Sequence, residues 1–501
     1  MAQASHHPQP TWLQESGGVA VVMVPLPAQG HLNQLLHLSR IISSYGVPVH
    51  YVAAMTHIQQ VKLRLHSWDP ASSVVDKGGK HHQLLHFHGF EIPSFPSPSP
   101  DPNSISKFPS QLLPAFEAAS FHLRRHVADL VRSLASGSRR VAVIHDSLMG
   151  SAVQDTPSVS KAESYVFHSV SAFSLCWFMS SMAVGWQPLL GEYPDIFLKD
   201  PPTVEGCFPA EFLKFTENQY KFRQLSSGFI HNTSRIMEGP FMELLKKERA
   251  NMNQWAVGPF NPVKIQSESP TGKQRPDGAP KHKCIEWLDR HPKNTVIYVS
   301  FGTTIALSKD QIQEIALGLE GSGRRFIWVL RQADKGDIFS GEPPADRKTA
   351  DSSLPLPIGF EQRIEGVGLV MREWAPQLEI LGHPSVGGFM THCGWNSCME
   401  SMSMGVPIVA WPMHSDQPGN SILLTRILKI GIMVDEWLTL VKGGLVESPS
   451  IKLAVDVLMG SEEGDKMRER AEELGKAIRR STDNGGISRA ELDSFMAHIT
   501  R

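Results

Sequence analysis

Short apolar runs with strand character alternate with amphipathic helical runs along most of this 501-residue chain. In the first half, the apolar run at 19–26 precedes a helical run at 31–42, and further strand-like runs lie at 47–53 and 141–146. The second half shows the same alternation from residue 295 onward. Because this order is typical of parallel α/β sheets, the predicted fold is α/β, with two Rossmann-like parallel-sheet domains facing across a cleft.

A Pro-, Ser- and Lys-rich stretch separates the two halves and has the composition of a linker. The chain is also too long for a single hydrophobic core. The predicted division is a first domain at 1–260, a linker at 261–281, a second domain at 282–480 and a C-terminal helix at 481–501 that packs back on the first domain.

Composition argues against several classes of function. The chain has 48 basic and 50 acidic side chains, a net charge of −2, which predicts no nucleic-acid partner and no membrane partner. The first 18 residues lack a secretory pattern, and the apolar run after them is too short to span a bilayer. The five scattered cysteines include no Cys-x-x-Cys pair, so we expect a reduced, cytoplasmic protein.

The turn at 392–397 carries more polar chemistry than a simple connection needs. It follows the strand-like GGFMT and opens a helical run, and it contains His392, Gly394, Asn396 and Ser397. Free backbone N–H groups at a helix start favour an anion, so this turn can hold a phosphate or diphosphate. The alternative is an ordinary helix start, capped by Asn396 or Ser397 with nothing bound.

Neighbouring residues extend this hypothesis. Glu400, one helical turn on, could accept hydrogen bonds from ribose hydroxyls, or it could be a surface residue favoured by the helix dipole. Trp374 could stack on a flat base or lie in the core. His392, Cys393 and Cys398 match no zinc spacing, so no metal site is expected. The chain has no Gly-x-Gly-x-x-Gly after its first strand and no Gly-Lys-Ser/Thr loop.

A histidine and an aspartate are candidates for acid–base chemistry. His31 lies in the first strand-to-helix turn, and Asp146 ends another strand. If both strands belong to one parallel sheet, Asp146 can hold one ring nitrogen of His31 while the other takes a proton. The alternatives are a helix-start residue and a turn cap. His145 should point to the opposite face of its strand.

The His-rich run HHQLLHFHGF at 81–90 allows two interpretations. His86 and His88 fall on one face of a strand, which suggests a metal site, but no third ligand is evident. A wall of a substrate pocket is the favoured interpretation.

The segment from Trp374 to Gln417 resembles, without gaps, the signature box of plant UDP-sugar-dependent glycosyltransferases that act on small molecules. The resemblance implies the two-domain glycosyltransferase-B fold and a UDP-sugar donor. It implies donor-binding roles for Ser300, Thr303, Trp374, Ala375, Gln377, His392, Trp395, Asn396, Ser397, Glu400, Asp416 and Gln417. By the same resemblance, Trp374 stacks on uracil, while Gln377 and Glu400 hold the ribose.

The resemblance also divides the remaining donor-binding residues. His392, Asn396 and Ser397 bind the diphosphate, and Ser300 and Thr303 resemble the family's second phosphate-contacting loop.

The sugar hydroxyls are assigned to Trp395, Asp416 and Gln417. Gln417 is similar to the position usually found in glucose users.

The pair His31 and Asp146 resembles the catalytic dyad of this family. The sequence departs from the family's pattern at Gln34, where many relatives have proline. The helix can start without that proline.

One subgroup is especially similar, the zeatin O-glycosyltransferases, which act on the side-chain hydroxyl of cytokinins. The stretches that carry this similarity include PLPAQGHLNQLLHLSRIISSYGVPVHYVAAMTHIQQ, HFHGFEIPSFPSPSPDP, VIHDSLMGSAVQD, GFIHNTSRIMEGP and FIWVLRQADKGDIFSGE. The resemblance implies inverting transfer of glucose from UDP-glucose to zeatin. No metal or other cofactor is expected if the helix-start donors and His392 offset the diphosphate charge. The first domain would bind the acceptor, with Phe95 and Phe108 of the 92–110 loop in its pocket.

Three alternatives stay open at this point. The donor could be UDP-xylose, the acceptor could be a flavonoid or other phenol, or the protein could bind a cytokinin or UDP-sugar without catalysis. His31 and Asp146 argue against the last, since a binder needs no base. The expected partners are a UDP-sugar and a cytokinin, and the expected state is a monomer.

Overall fold

The computed structural model describes residues 18–64, 73–75, 81–182, 204–249, 252–263, 281–340, 355–435 and 444–501, with the backbone alone at 73–75, 81–83 and 180–182. Most of the predicted linker, 264–280, lies outside the described residues. Two parallel sheets form the core of the protein, which confirms the predicted α/β class.

The first sheet contains seven of the strands found before residue 260: β1 (Val19–Val24), β2 (Val49–Ala54), β5 (Leu85–Phe90), β6 (Arg140–Asp146), β7 (Ala162–His168), β8 (Gly228–His231) and β9 (Asn253–Ala256). A separate antiparallel hairpin pairs β3 (Ser73–Val75) with β4 (His81–Gln83). The sheet has the order β5-β2-β1-β6-β7-β8-β9 and all its neighbouring strands are parallel. The strand order therefore reverses between β1 and β6.

The second sheet has six parallel strands: β10 (Val296–Ser300), β11 (Arg325–Val329), β12 (Gly368–Met371), β13 (Val386–Thr391), β14 (Ile408–Ala410) and β15 (Gly431–Met433). Its order is β12-β11-β10-β13-β14-β15, so the reversal lies between β10 and β13. Ligands of open α/β sheets bind at the carboxyl ends of strands beside such a reversal.

Helices cover both faces of the sheets, which is why the central strands are continuous buried runs. Those before the linker are α1 (Gln29–Ser43), α2 (Met55–Leu63), α3 (Leu113–Gly137), α4 (Ala172–Met182), α5 (Ala210–Tyr220) and α6 (Arg235–Glu248). Those after it are α7 (Lys283–Leu288), α8 (Lys309–Ser322), α9 (Phe360–Arg363), α10 (Gln377–Leu381), α11 (Trp395–Met404), α12 (Gln417–Ile422), α13 (Ser448–Gly460), α14 (Glu462–Ser481) and α15 (Ile487–Thr500). A π-helical turn, Leu423–Ile427, continues α12.

The last helix, α15, packs against the first sheet. Leu492 and Phe495 belong to the same buried cluster as Tyr165 and Trp255 of that sheet. The phenyl ring of Phe495 lies 5.1 Å from the indole of Trp255 and 5.6 Å from the ring of Tyr165. The chain thus crosses back from the second sheet to the first at its end. In the part of the chain that is described, no helix is long and apolar enough to cross a membrane.

Candidate active site

A deep cleft of about 1180 Å³ lies between the two halves and is lined by residues of both sheets' loops. All twelve residues predicted to bind the donor line this cleft, and so does His31. Asp146 is fully buried beside His31. The residues singled out from the sequence are therefore brought together, although they span nearly 400 positions of the chain.

His31 and Asp146 meet where the strand order of the first sheet reverses. β1 and β6 are neighbouring parallel strands. His31 lies in the first turn of α1, which follows β1, and Asp146 is the last residue of β6. The Nδ1 atom of His31 lies 2.7 Å from Oδ2 of Asp146, while Oδ1 accepts a hydrogen bond from the backbone N–H of Leu148 at 3.0 Å. With Nδ1 turned to the carboxylate, Nε2 is the ring nitrogen that can act on a ligand in the cleft.

The electrostatics of His31 suit a base that works near neutral pH. Burial lowers the pKa of His31, but the negative charge and hydrogen bond of Asp146, together with the charge of Asp416, outweigh burial and raise it above its ordinary value. Since a base is most effective when its pKa is near the working pH, this environment can support proton abstraction.

Ser169, which sequence reasoning missed, contacts this histidine, and Gln34 in turn binds the backbone of Ser169. The hydroxyl of Ser169, just after β7, lies 3.0 Å from Nδ1 of His31. Gln34 donates to the carbonyl of Ser169 and accepts from the side chain of Asn232. Gln34 therefore connects α1 to the ends of β7 and β8, a role that proline could not fill.

The second sheet places His392 directly after β13, at its own reversal of strand order. The imidazole lies between two glycines: a Cβ atom at Gly302 would come within 2.7 Å of its Cε1 and Nε2, and one at Gly394 within 2.5 Å of Nε2. Gly302 also has a φ of +77°, which favours glycine. Burial lowers the pKa of His392 to about 4, so the ring is a neutral hydrogen-bond donor at physiological pH.

Helix α11 opens towards the cleft without a side-chain cap. Its N-cap is Gly394, and no described side chain accepts a hydrogen bond there. Asn396 instead donates to the carbonyl of Gly30 across the cleft at 2.7 Å, and the hydroxyl of Ser397 accepts from Gln377 at 3.1 Å. The simple capping alternative for Asn396 and Ser397 is therefore wrong, and the first N–H groups of α11 form a site suited to an anion.

Gln377 and Glu400 form one hydrogen-bonded unit. The amide of Gln377 donates to Oε2 of Glu400 at 2.7 Å, and its oxygen accepts from the hydroxyl of Tyr298 at 3.3 Å. Burial raises the pKa of Glu400 to about 7, although the bond from Gln377 opposes the shift. The two side chains predicted to hold a ribose are thus fixed relative to each other.

Trp374 lines the cleft and is in contact with two arginines. The guanidinium of Arg64, from the first half, lies 4.9 Å from the indole centroid, and that of Arg331 lies 5.4 Å from it. Trp374 is therefore not a core residue, and its ring lies at an entrance shared by both halves.

The three residues predicted to read the sugar differ in how they face the cleft. The indole of Trp395 is only 3% exposed and donates to the carbonyl of Asn232, which leaves its backbone as the part able to face a ligand. The side-chain oxygen of Gln417 accepts from the backbone N–H groups of Met413 and His414. Asp416 is half-buried, and its loss of contact with water raises its pKa to about 6.

The remaining wall of the cleft includes an aromatic patch, contributed mainly by the first half. Phe108 of the 92–110 loop packs against Phe212 and the edge of His414, and all three line the cleft. Phe95 does not line the cleft. It stacks 6.1 Å from His57 instead, so its expected place in the pocket is wrong.

The His-rich run lies elsewhere in the first half. The rings of His86 and His88 pack against His50 of β2, at 4.9 Å and 5.1 Å, and neither lines the cleft, so the pocket-wall interpretation is wrong. Across the described segments, no three His, Cys, Asp or Glu side chains are grouped so that they could hold a metal ion. His145 does not line the cleft, and its Nδ1 donates a hydrogen bond to the carbonyl of Asp146.

Comparison with known proteins places the chain in a family. The sequence model described as "Glycosyltransferase, N-terminal domain" matches residues 17–262, and that described as "UDP-glucoronosyl and UDP-glucosyl transferase" matches residues 273–442. A zeatin O-glucosyltransferase of Phaseolus lunatus is 49% identical over 96% of this chain and 97% of its own length. A zeatin O-xylosyltransferase of Phaseolus vulgaris is 46% identical over 98% of this chain and all of its own.

Solved structures agree with this placement. A transferase from Siraitia grosvenorii in complex with UDP is 26% identical, with a TM-score of 0.71, over 96% of this chain and 100% of its own. UGT2 of Phytolacca americana, complexed with UDP-2fluoro-glucose and pterostilbene, is 25% identical, with a TM-score of 0.66, over 96% of this chain and 99% of its own. The chain therefore belongs to the UDP-glycosyltransferase family, and it is a UDP-sugar-dependent transferase with the two-domain glycosyltransferase-B fold.

Proposed function

We propose that this enzyme transfers glucose from UDP-glucose to the side-chain hydroxyl of zeatin, with inversion at the anomeric carbon. The observation that carries the transfer chemistry is the His31–Asp146 pair, whose ring nitrogen and carboxylate oxygen lie 2.7 Å apart at the edge of the cleft. The choice of zeatin is supported by the 49% identity to a protein named as a zeatin O-glucosyltransferase.

The first half supplies the base. Nε2 of His31 takes the proton of the acceptor hydroxyl while that oxygen attacks the anomeric carbon from the face opposite UDP. The bond between this carbon and the diphosphate oxygen breaks, UDP leaves with the electron pair, and the configuration inverts. The imidazolium that forms is stabilised by the buried carboxylate of Asp146.

The second half supplies the donor site. Uracil stacks on Trp374, with Ala375 beside it, and the Gln377–Glu400 unit accepts the ribose hydroxyls. The diphosphate lies against His392, the start of α11 at Asn396 and Ser397, and the loop that carries Ser300 and Thr303. Asp416, Gln417 and the backbone of Trp395 address the sugar. Polar groups held in place in this way stabilise the charge that develops on the leaving diphosphate.

We also propose that transfer requires no metal and that the enzyme works as a monomer. The neutral N–H donors around His392 and α11 can meet the diphosphate charge. Activity should therefore survive EDTA. Complete loss on chelation, restored by Mg²⁺ or Mn²⁺, would contradict this part of the proposal.

The decisive experiment measures UDP release and product mass with UDP-glucose and, at equal concentrations, trans-zeatin, cis-zeatin, isopentenyladenine and a flavonol. Zeatin should be converted to a β-glucoside, as read from the anomeric proton coupling. Isopentenyladenine shares the ring but lacks the hydroxyl, so it should compete with zeatin without being glycosylated on its side chain. Turnover of the flavonol with neither zeatin isomer would overturn the acceptor and leave the donor chemistry intact.

UDP-xylose is the second candidate donor. It is favoured by the 46% identity to a protein named as a zeatin O-xylosyltransferase. The same assay with UDP-xylose decides between the two sugars by the ratio of kcat/KM values, and Gln417, which is similar to the position usual in glucose users, supports glucose.

A further inference from the structure

Asn420, on α12, uses its whole side-chain amide in hydrogen bonds. It is fully buried, one helical turn after Asp416. Its Nδ2 donates to Oδ2 of Asp416 at 2.7 Å and to the carbonyl of Cys393 at 2.9 Å. Its Oδ1 accepts from the hydroxyls of Ser171 and Ser174 at 2.7 Å and 2.9 Å. Two donors and two acceptor positions are the full capacity of an amide.

These partners come from different parts of the site. Asp416 and Cys393 belong to the second half, Cys393 being the residue after His392. The two serines belong to the start of α4 in the first half, whose Leu175 and Phe178 line the acceptor side of the cleft. Asn420 therefore lies between α4 and the carboxylate proposed to address the sugar.

The start of α4 is itself fixed. The buried carboxyl group of Glu238 accepts the backbone N–H groups of Ala172 and Phe173 at 3.1 Å and 2.7 Å. Gly419 permits the close approach of α4, because a Cβ atom there would lie 2.5 Å from Oγ of Ser174. The serines thus reach Asn420 from a helix start whose first backbone N–H groups are bonded to Glu238.

We propose that Asn420 is a positioning residue that holds the Asp416 carboxylate towards the donor sugar and connects its position to helix α4 of the acceptor side. This inference rests on the proposed donor role of Asp416. Alanine could not replace Asn420 because it has no polar side-chain group, and an ionised aspartate has no donor. Serine has a single donor at a shorter reach, where Asn420 uses two donors.

The same bond affects the ionisation of Asp416. Burial raises the pKa of this carboxyl group, while the hydrogen bond from Asn420 and the charge of His31 lower it. The thiols of Cys207 and Cys398 also face it, and Asp416 contributes to the upward pKa shifts of both. Loss of the Asn420 donor should raise the pKa of Asp416. On acidification, this variant should then protonate Asp416 at a higher pH than the wild type does.

Three variants test the two contacts of Asn420 separately, the one with Asp416 and the one with α4. Asn420→Asp keeps the acceptor for Ser171 and Ser174 but loses the donor and places a second carboxylate beside Asp416. The double variant Ser171→Ala with Ser174→Ala keeps the donor and loses the contact with α4. Ser421→Ala is the matched control, since it removes a buried hydrogen bond of the same helix, to the carbonyl of Pro418, without touching Asp416.

The readout is the ratio of the dissociation constants of UDP-glucose and UDP, measured by calorimetry from pH 5 to pH 8, together with kcat and KM. UDP lacks the sugar, so the ratio isolates the sugar's contribution. In Asn420→Asp, transfer should fall about ten- to a hundred-fold. UDP binding should stay near wild type. The acid limb, meaning the low-pH range in which the sugar's contribution to binding is lost, should move to higher pH. The serine double variant should lower kcat with little movement of that limb.

An unshifted pH limb in Asn420→Asp, or a shift of equal size in Ser421→Ala, would overturn the positioning role. If Asn420→Asp fails to fold, Asn420→Ser, which keeps a weaker donor at a shorter reach, is measured in the same way and must show the same direction of shift. Failure of the wild type to release UDP from UDP-glucose would instead defeat the proposed function itself, so the two failures are distinguishable.

Discussion

Arg64, which follows α2, forms hydrogen bonds from both terminal nitrogens to the two carboxylate oxygens of Asp334, each at 2.7 Å, from one half of the enzyme to the other. The side chains are only 7% and 9% exposed, so water screens the pair weakly. The backbone N–H of Asp334 also donates to the carbonyl of Thr303 at 2.7 Å. The pair therefore joins the acceptor half to the loop expected to contact the diphosphate.

Replacement of Arg64 should weaken donor binding more than it slows chemistry. Arg64→Ala leaves a largely buried carboxylate without its main partner, and such a loss costs about 3–5 kcal/mol when the site stays dry. Because Arg331 also lies 3.5 Å from the Asp334 carboxylate, we expect a smaller cost, seen as a raised KM for UDP-glucose and a modest change in kcat. Steady-state kinetics and UDP calorimetry measure this.

The matched control for this prediction is Arg363→Ala. Arg363 also forms a two-pronged pair, with Glu320, but it lies on the surface of the second half at 45% exposure. Exposed pairs contribute about 0–1 kcal/mol, so donor KM should stay unchanged. Equal effects of both variants on donor KM would contradict a role for the contact across the cleft.

Removal of the base should abolish most transfer without loss of the donor. His31→Ala should lower kcat by about a hundred- to ten-thousand-fold, the usual contribution of a general base. UDP binding should change little, because His31 acts on the acceptor. Asp146→Asn should give a loss of similar size, since an amide N–H facing Nδ1 favours the wrong tautomer.

Ser169→Ala provides the comparison for the base. It removes only the hydroxyl that lies 3.0 Å from Nδ1 of His31 and leaves the bond to Asp146 in place. Its kcat should fall less than about ten-fold, the effect of one ordinary hydrogen bond. Turnover near wild type in His31→Ala would show that another group accepts the proton.

Sequence patterns were enough to predict the two sheets. They also predicted that His31 lies near Asp146 if the strands before them belong to one sheet. Both side chains come at the carboxyl ends of apolar strands, and parallel strands bring such ends together. The Arg64–Asp334 pair could not be predicted in this way. Its members lie 270 positions apart, with Arg64 at the end of a helix and Asp334 in a loop after β11, so neither lies at the end of a strand.

Side-chain direction was the other limit of sequence reasoning. Trp395 was expected to address the sugar, yet its indole turns inward to the carbonyl of Asn232. Phe95 was expected in the pocket, yet it stacks on His57, because a 19-residue loop can place its aromatic rings on either side of its path. Asn420 had a visible signal, since it follows Asp416 by four positions on one helix, the spacing at which side chains meet.

Acid should destabilise the fold, because many buried or half-buried histidines are held neutral. Burial lowers the pKa to about 3 or 4 at His37, His50, His145, His231, His392 and His414. The unfolded chain binds protons below the ordinary value of 6.5 and the folded chain does not, so the free energy of unfolding falls as the pH drops from 6.5 towards 4. Three carboxyls with raised pKa act in the opposite direction: Glu238, Glu400 and Asp416.

The histidines outnumber these carboxyls, so the net effect should be a loss of stability. Urea titrations at several pH values measure it. His50→Gln, in the first sheet and away from the cleft, removes one titrating ring and should reduce the slope by about one proton. A stability that rises on acidification from pH 6.5 to pH 5 would show that the carboxyls dominate.

The glycines beside His392 should be essential for donor binding. Gly302→Ala adds a methyl group 2.7 Å from two atoms of the imidazole and also forces alanine into a φ of +77°, so the ring must move away from the diphosphate position. UDP affinity should fall about ten-fold or more, as when one buried donor is lost.

Gly366→Ala is the control, because Gly366 has the same φ of +77° and a Cβ atom there would meet no atom within 4 Å. Both variants carry a backbone cost of about 1–2 kcal/mol, so both should lower the melting temperature. Only Gly302→Ala should weaken UDP, as measured by calorimetry. A comparable loss of UDP affinity in both variants would mean that backbone strain, and not displacement of His392, is the cause.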